Sequence, residues 1–236
     1  SPSIDSKSQS KLNLFLKKVC NIKTITYYCT LNKQTNMDYE EFLATKQKTI
    51  VQSGFHVELS DLNDNLFPFQ KFCVQRALAA GKYAFFQDCG LGKTFQQLEW
   101  ANQVCKETKS KVLILAPLAV VGQTMQEGLK FGIDMTNIDV QNYEQLDNID
   151  CSIYSGIVLD ESSILKNFEG ATKKLILDLF AKTPYKLACT ATPSPNDPME
   201  LGNHSEFLDV MSRNEMLAMY FVHDGGETAK WRLKGH

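Results

Sequence analysis

Between an apolar run at residues 83–86 and a helix-like segment at residues 95–101, the sequence reads Asp88-Cys89-Gly90-Leu91-Gly92-Lys93-Thr94. A strand, a glycine-rich turn, a Lys-Thr pair and a helix form the context of a phosphate-binding loop, whose backbone N–H groups surround phosphate oxygens. We expect Lys93 to reach the β- and γ-phosphates of a nucleotide and the Thr94 hydroxyl to bind Mg²⁺. The general pattern has a glycine where this chain has Gln87, so a second motif is needed.

The second motif is an apolar run that ends in two acids, Gly156-Ile157-Val158-Leu159-Asp160-Glu161. Such a run predicts a buried parallel strand with both carboxylates at its C-terminal end. In ATPases with a phosphate-binding loop, the first acid supports the Mg²⁺ site, and the second orients or deprotonates the attacking water. Two acids at a solvated strand end also occur by chance. Together with the glycine-rich loop, they favour a catalytic role for Lys93, Asp160 and Glu161.

The bulk composition sets limits on the class of protein. The chain has 236 residues, of which 43% are hydrophobic and 22% charged, as is typical of ordinary soluble proteins. Its net charge of −2 predicts no strong nonspecific affinity for nucleic acid, although a local basic path is compatible with it. The seven cysteines include no close C-x-x-C pair, which argues against a zinc or redox motif and favours reduced thiols in the cytosol. Neither a membrane-length apolar run nor a secretory signal pattern is present, so we expect no membrane association.

Up to residue 212, the chain divides into three predicted segments. Residues 1–36 begin with a polar stretch and are expected to be a disordered or non-native extension, or alternatively a small accessory helix. Residues 37–66 form an N-terminal accessory segment. From residue 67 to residue 212, apolar runs alternate with helical patterns, which predicts an α/β fold with a parallel sheet flanked by helices. Strands are predicted at 83–87, 112–116, 138–141, 156–160 and 185–190, and helices at 69–80, 94–106, 119–131, 171–181 and 199–212.

Two further pairs of residues are candidates for binding. Phe69 and Gln70 precede the loop, and a glutamine amide suits the edge of adenine while an aromatic ring stacks on its face. Alternatively, Gln70 is an ordinary surface amide. Thr190 and Thr192 end a predicted strand and could link the acid pair to a nucleic-acid path, or they could simply be threonines that favour a strand.

In this order, the motifs resemble those of the first RecA-like lobe of superfamily-two helicases, and most closely the Swi/Snf-type DNA translocases. Within that branch the chain resembles helicase-like proteins of phages and prophages. The resemblance rests on residues 67–70, 88–94, 113–117, 160–167 and 190–196. It implies a P-loop NTPase lobe that binds ATP and Mg²⁺ and acts on duplex DNA in the cytoplasm of a bacterial or phage-infected cell. It also implies that nucleotide is bound by residues of the first two motifs: Phe69, Gln70, Cys89, Gly90, Leu91, Gly92, Lys93 and Thr94.

The sequence departs from the family pattern in several places. Ser163 stands where the acid motif of this branch usually has histidine, and nothing after residue 212 resembles a second RecA-like lobe. Arg213 and Arg232 lie outside any family motif, so residues 213–236 are interpreted as a stub leading to an absent second lobe. Because an arginine from that lobe contributes about 10³–10⁵ to the rate in related phosphoryl transfers, we expect this lobe to bind nucleotide but to hydrolyse it slowly.

The tail offers two weaker signals. His223 and Asp224 suggest a metal site or an acid–base pair, but a glycine-rich turn is favoured. The basic stretch around Trp231 suggests DNA contact, although a link to a second lobe is favoured.

Two other classes of function compete with an ATP-dependent helicase or translocase. A non-catalytic nucleotide-binding adaptor module would have less need of an intact set of loop and acid residues. A small-molecule kinase would need a lid with arginines, and it would leave Gln70 and the two threonines unexplained. The dependence of ATP hydrolysis on DNA or on a small acceptor distinguishes the three.

Overall fold

The computed structural model describes residues 53–166, 170–223 and 231–234. Its strands are β1 Lys82–Phe86, β2 Lys111–Ala116, β3 Ile138–Asn142, β4 Tyr154–Asp160, β5 Tyr185–Thr190, β6 Phe221–His223 and β7 Trp231–Leu233. The first five form a parallel sheet in the spatial order β1-β5-β4-β2-β3, and the last two form an antiparallel pair. The expected α/β class with a parallel sheet is therefore confirmed.

Helices connect these strands and cover both faces of the sheet. They are α1 Pro68–Ala80, α2 Lys93–Thr108, α3 Leu118–Lys130, α4 Ala171–Leu179, α5 Leu201–Phe207 and α6 Arg213–Tyr220. Short 3₁₀ turns lie at Leu59–Asp61, Tyr143–Asn148, Cys151–Ile153, Ser162–Lys166 and Pro198–Glu200. Among the described residues, no helix combines the length and apolar character needed to cross a membrane.

The core has two parts because side chains on a strand alternate between its faces. Leu113 and Leu115 of β2 pack in a cluster with α4, α5 and α6, whereas Val112 and Ile114 pack in a second cluster with α1 and α2. Helix α2 is enclosed over most of its length, from Phe95 to Cys105. This central helix therefore carries the loop that precedes it on a rigid support.

The sheet order brings the ends of three strands together. Strand β5 lies between β1 and β4, with Phe86 opposite Thr190 and Asp160 opposite Cys189. Because all three strands are parallel, the segments that follow them emerge at the same edge of the sheet. The glycine-rich loop follows β1 and the acid pair ends β4, so the topology places both at this edge.

The structure differs from the predicted elements mainly after residue 198. The helix expected over 199–212 is divided, because α5 ends at Phe207 and Asp209 adopts a left-handed backbone with φ of 56°. Helix α6 then begins at a capping box in which Ser212 and Glu215 exchange hydrogen bonds. The β6–β7 pair was not predicted.

The predicted segment boundaries at residues 36, 66 and 212 stay predictions. Residues 1–36 and the first part of the accessory segment, 37–52, lie outside the described residues, as do Asp224 and the glycine-rich turn expected after it. The described part of the accessory segment packs on the core through Leu62 and Leu66. On the other side of the sheet, Met216 and Phe221 pack in the same core cluster as β2 and β4.

Candidate nucleotide-binding site

The glycine-rich loop connects β1 to α2 by a backbone that only glycine adopts easily. Gly90 and Gly92 have φ angles of 81° and 71°, in the left-handed region. A Cβ atom at Gly92 would lie 2.4 Å from the Nε2 atom of Gln70. The backbone conformation therefore favours glycine at position 92, and a side chain there would also displace the Gln70 amide.

The two residues after Gly92 begin the central helix. The Lys93 ammonium donates to the backbone carbonyls of Gln87, at 2.9 Å, and Asp88, at 3.0 Å, so it lies inside the curve of the loop. Thr94 is half-buried in the first turn of α2. Both side chains are thus at the helix N-terminus, where backbone N–H groups and the helix dipole favour anions.

Gln87, the departure from the general loop pattern, has a specific partner in Gln96 of α2. The two amides exchange hydrogen bonds of 2.9 and 2.8 Å. Gln96 also donates to the carbonyl of Leu91 at 3.1 Å. The side chain at position 87 therefore holds the start of the loop against the helix that follows it.

Gln70 lies beside the loop and connects it to α1. Its Oε1 accepts from the backbone N–H of Phe67 at 2.9 Å, and its Nε2 donates to the carbonyl of Leu91 at 2.9 Å. The amide is 5% exposed and retains one further donor hydrogen and one acceptor lone pair. A cleft of about 530 Å³ opens here, lined by residues that include Phe67, Phe69, Gln70, Gly90, Leu91, Gly92 and Phe131.

Asp160, at the end of β4, is joined to the central helix by Gln97. The Gln97 Nε2 donates to Oδ1 of Asp160 at 2.8 Å, and the Tyr143 hydroxyl donates to the Asp160 backbone carbonyl at 2.7 Å. Burial raises the pKa of the Asp160 carboxyl, the neighbouring Glu161 charge also raises it, and the Gln97 bond and the Lys93 charge oppose this shift.

Glu161 is exposed but its carboxylate is held in place. Thr190 and Ser163 both donate to Oε1 of Glu161, at 2.7 and 2.8 Å. Its second oxygen, Oε2, has no hydrogen bond to the described part of the chain and can accept one from water. Thr192 donates its backbone N–H to the Thr190 hydroxyl at 3.0 Å, which orients that hydroxyl toward Glu161.

The donor set suits Mg²⁺. This ion prefers oxygen ligands and usually keeps several waters, so one carboxylate and one hydroxyl from the protein are sufficient beside phosphate oxygens. Asp160, at the end of β4, has such a carboxylate, and Thr94, in the first turn of α2, has such a hydroxyl. Within the described residues, Oε1 of Gln97 is buried without a hydrogen-bond partner, while Nε2 of the same amide bonds to Asp160.

A second cleft, also of about 530 Å³, includes Glu161 in its wall. Its other lining residues include Pro117, Leu118, Tyr143, Ser163 and Lys166. This cleft therefore connects the acid turn to the start of α3, which follows the strand at residues 111–116.

The structure brings most of the predicted site residues to one edge of the sheet. Cys89 also lies in the loop at this edge, as an exposed free thiol. The remaining candidates are placed elsewhere: Arg213 begins α6, and the rings of His223 and Trp231 contact each other edge to face with centroids 5.0 Å apart.

Three residues of this site, Gln96, Gln97 and Tyr143, were not predicted from the sequence. Gln96 and Gln97 follow the Lys-Thr pair by one helical turn, and consecutive amides in a buried helix are a usable signal. Tyr143 carries no comparable signal in the sequence.

No protein-family model matches this chain. Among curated proteins, it is 29% identical to the SWI/SNF-related matrix-associated actin-dependent regulator of chromatin subfamily A-like protein 1 of Xenopus tropicalis, over 60% of this chain and 17% of that protein. The same protein of Xenopus laevis is also 29% identical, over 62% of this chain and 17% of its own length. The chain thus spans about a sixth of the length of these relatives.

Solved structures of two kinds are similar to this fold. A Sulfolobus solfataricus SWI2/SNF2 ATPase core in complex with dsDNA has a TM-score of 0.60 and 23% identity, over 70% of this chain and 41% of that chain. The UvsW helicase from bacteriophage T4 has a TM-score of 0.52 and 12% identity, over 77% of this chain and 67% of that chain. The resemblance to a RecA-like lobe of the Swi/Snf type is confirmed, and the narrower likeness to phage and prophage proteins stays a prediction.

Proposed function

We propose that this chain is the ATP-binding lobe of an ATP-dependent DNA translocase or helicase. The observation that carries the proposal is the hydrogen bond from Gln97 to Asp160, because it joins the helix that begins with Lys93 and Thr94 to the acid pair. The curated relatives are described as SWI/SNF-related, and the similar archaeal ATPase core is described in complex with dsDNA. Both descriptions support this function over the alternatives.

Each group at the site has a role in this proposal. Lys93 exchanges its two loop carbonyls for oxygens of the β- and γ-phosphates. Thr94 and Asp160 would hold Mg²⁺, whose positive charge would neutralise the charge that develops on the phosphoryl group during transfer. Glu161, fixed at one oxygen by Thr190 and Ser163, orients the attacking water and accepts its proton at the other oxygen. Gln70 and Phe69 lie where the adenine base would enter the cleft.

Partners complete the proposed activity. A second RecA-like lobe, in cis or in trans, would supply arginine to the γ-phosphate and accelerate hydrolysis. Duplex DNA would lie close to the second cleft, whose wall contains Glu161 and the turn of residues 162–166. Thr190 and Thr192 would link Glu161 to the nucleic-acid path through the hydrogen bonds described above.

Calorimetric titration with Mg·ATP tests the nucleotide site. We expect Lys93→Ala to weaken binding by about 10- to 100-fold, since charge-assisted hydrogen bonds to phosphate are worth about 1.5–3 kcal/mol. Lys106→Ala is the matched control, because Lys106 is an exposed lysine on the same helix. Unchanged affinity in the Lys93 variant would refute the assignment of the phosphate-binding loop.

The rate of ATP hydrolysis with and without duplex DNA separates the proposed function from its rivals. Stimulation by DNA supports a translocase. Binding of ATP with no hydrolysis in either condition supports an adaptor module, and dependence on a small acceptor supports a kinase. Rapid hydrolysis by the chain alone contradicts the need for a second lobe.

A further inference from the structure

His204 lies between the two segments that carry the candidate catalytic groups. It belongs to α5 and is 1% exposed. Its Nε2 is 2.9 Å from the hydroxyl of Ser162, the residue after Glu161. The imidazole ring of His204 also packs edge to face with the ring of Phe86, with centroids 5.2 Å apart and an interplanar angle of 85°. Phe86 ends β1, immediately before the phosphate-binding loop.

The turn that His204 contacts determines where Glu161 points. Glu161 has a φ of 56°, a left-handed conformation that a residue with a side chain adopts only when its surroundings hold it there. Ser162 follows it and is 0% exposed, so its hydroxyl cannot obtain a bond from water if His204 is removed. The hydrogen bond between Ser162 and His204 therefore fixes the turn from its buried side, while Thr190 and Ser163 fix the carboxylate from its exposed side.

We propose that His204 is a positioning residue for Glu161. Through its contacts with Ser162 and Phe86, it fixes the position of the turn at Glu161 relative to the end of β1, and hence relative to the phosphate-binding loop. The proposal rests on the proposed function, because it assigns a partner to the group that activates water. It does not require His204 to touch nucleotide, metal or DNA.

The chemistry of the side chain fits this role. Burial lowers the pKa of His204 to about 4, so the imidazole is neutral near pH 7. A neutral imidazole fills the space beside Phe86 as an aromatic ring and still exchanges a hydrogen bond with a hydroxyl. A leucine would fill a similar volume without that bond, and a glutamine would restore a hydrogen-bonding group without the ring.

Single-turnover hydrolysis with the whole chain in excess over ATP tests the proposal. We expect His204→Leu and Ser162→Ala each to slow hydrolysis by about 10- to 100-fold, the range expected when a reacting group is displaced by up to about 1 Å. The double variant should be no slower than the slower single variant, because both changes remove one shared hydrogen bond. His204→Gln should recover most of the rate. The Kd for Mg·ATP should change less than about twofold in all of them, since Glu161 is not a phosphate ligand.

Two controls define the range of the measurement. Glu161→Gln sets the lowest rate, and Ser205→Ala removes a buried hydroxyl of α5 that bonds to the carbonyl of Met211 instead of the acid turn. A purely structural role for His204 predicts that Ser205→Ala and Ser162→Ala slow hydrolysis equally. Should His204→Leu fail to fold, judged by circular dichroism, Ser162→Ala and His204→Gln decide the outcome.

The possible results are distinguishable. A wild-type rate equal to that of Glu161→Gln overturns the catalytic part of the proposed function and this inference with it. A wild-type rate well above that floor, together with an unchanged rate in Ser162→Ala, overturns only the role of His204.

Discussion

Gln87 occupies the position at which phosphate-binding loops commonly carry their first glycine. Its side chain does not point away from the loop but bonds reciprocally to Gln96, which also bonds to Leu91 inside the loop. The phosphate-loop motif considers each position separately, so it detects the missing glycine but not the Gln87–Gln96 pair. The compensation lies nine residues further along the chain, where the first turn of α2 brings a second amide back to the start of the loop.

The reciprocal pair predicts strong coupling between Gln87 and Gln96. We expect Gln87→Ala and Gln96→Ala each to lower the free energy of unfolding by about 1–2 kcal/mol, because the first removes one partner of the buried Gln96 amide and the second leaves the half-buried Gln87 amide without this partner. The double variant should cost less than the sum, with a coupling energy of about 1 kcal/mol. Urea unfolding of the four proteins measures this, and strictly additive losses would show that the two amides act independently.

At the scale of elements, the division between α5 and α6 follows from the side chain of Asp209. Its carboxylate accepts from Lys82 at 2.7 Å and from the buried Lys186 at 2.8 Å, at the N-terminal ends of β1 and β5. Burial lowers the pKa of Lys186, and the bond to Asp209 raises it. The sequence does contain the Ser212–Glu215 capping box that starts α6. The apolar pattern of residues 199–212 nevertheless favoured a single helix over that range, so this helix start was not predicted.

Gly54 lies where the chain passes close to the last turn of α1, and this close approach predicts the effect of a substitution there. A Cβ atom there would lie 1.8 Å from the carbonyl oxygen of Leu78, so Gly54→Ala forces backbone atoms apart. We expect a loss of at least about 2 kcal/mol of stability. Gly122→Ala is the matched control, since its Cβ would meet nothing within 4 Å on exposed helix α3 and should stabilise by about 0.5–1 kcal/mol. Thermal unfolding compares the two, and equal midpoints would contradict the expected clash.

At the scale of the whole molecule, the sequence was sufficient to predict which residues lie at the carboxyl edge of the sheet. It was not sufficient to predict the side-chain contacts that join them to the helices. The apolar runs and the glycine-rich loop locate β1, β4 and β5, and parallel strands place Lys93, Asp160 and Glu161 at one edge. By contrast, Gln97 and Asp160 are 63 residues apart in the chain, and Ser162 and His204 are 42 apart. These pairs depend on how helices pack against the sheet, which no local pattern of residues specifies.

Burial of His204 also predicts how stability depends on pH. Its pKa falls from 6.5 to about 4 on folding, so between these values the unfolded chain binds a proton that the folded chain does not. Stability is therefore lost as the pH falls through this window, by about 2 kcal/mol between pH 7 and pH 5 from this residue alone.

Comparison with His204→Gln isolates this contribution, because glutamine does not titrate. Urea unfolding of both proteins at pH 7, 6 and 5 should give a steeper decline for the wild type. Parallel declines would mean that His204 is protonated as easily in the folded protein as in the unfolded chain.

The backbone at Glu161 has an evolutionary consequence. A left-handed residue with a long side chain costs about 1 kcal/mol or more relative to glycine, and asparagine also tolerates this conformation better. A lineage that kept this lobe only as a scaffold would gain stability by drifting to either of those residues. Related chains that all carry a carboxylate at this position would therefore indicate selection for chemistry rather than for folding.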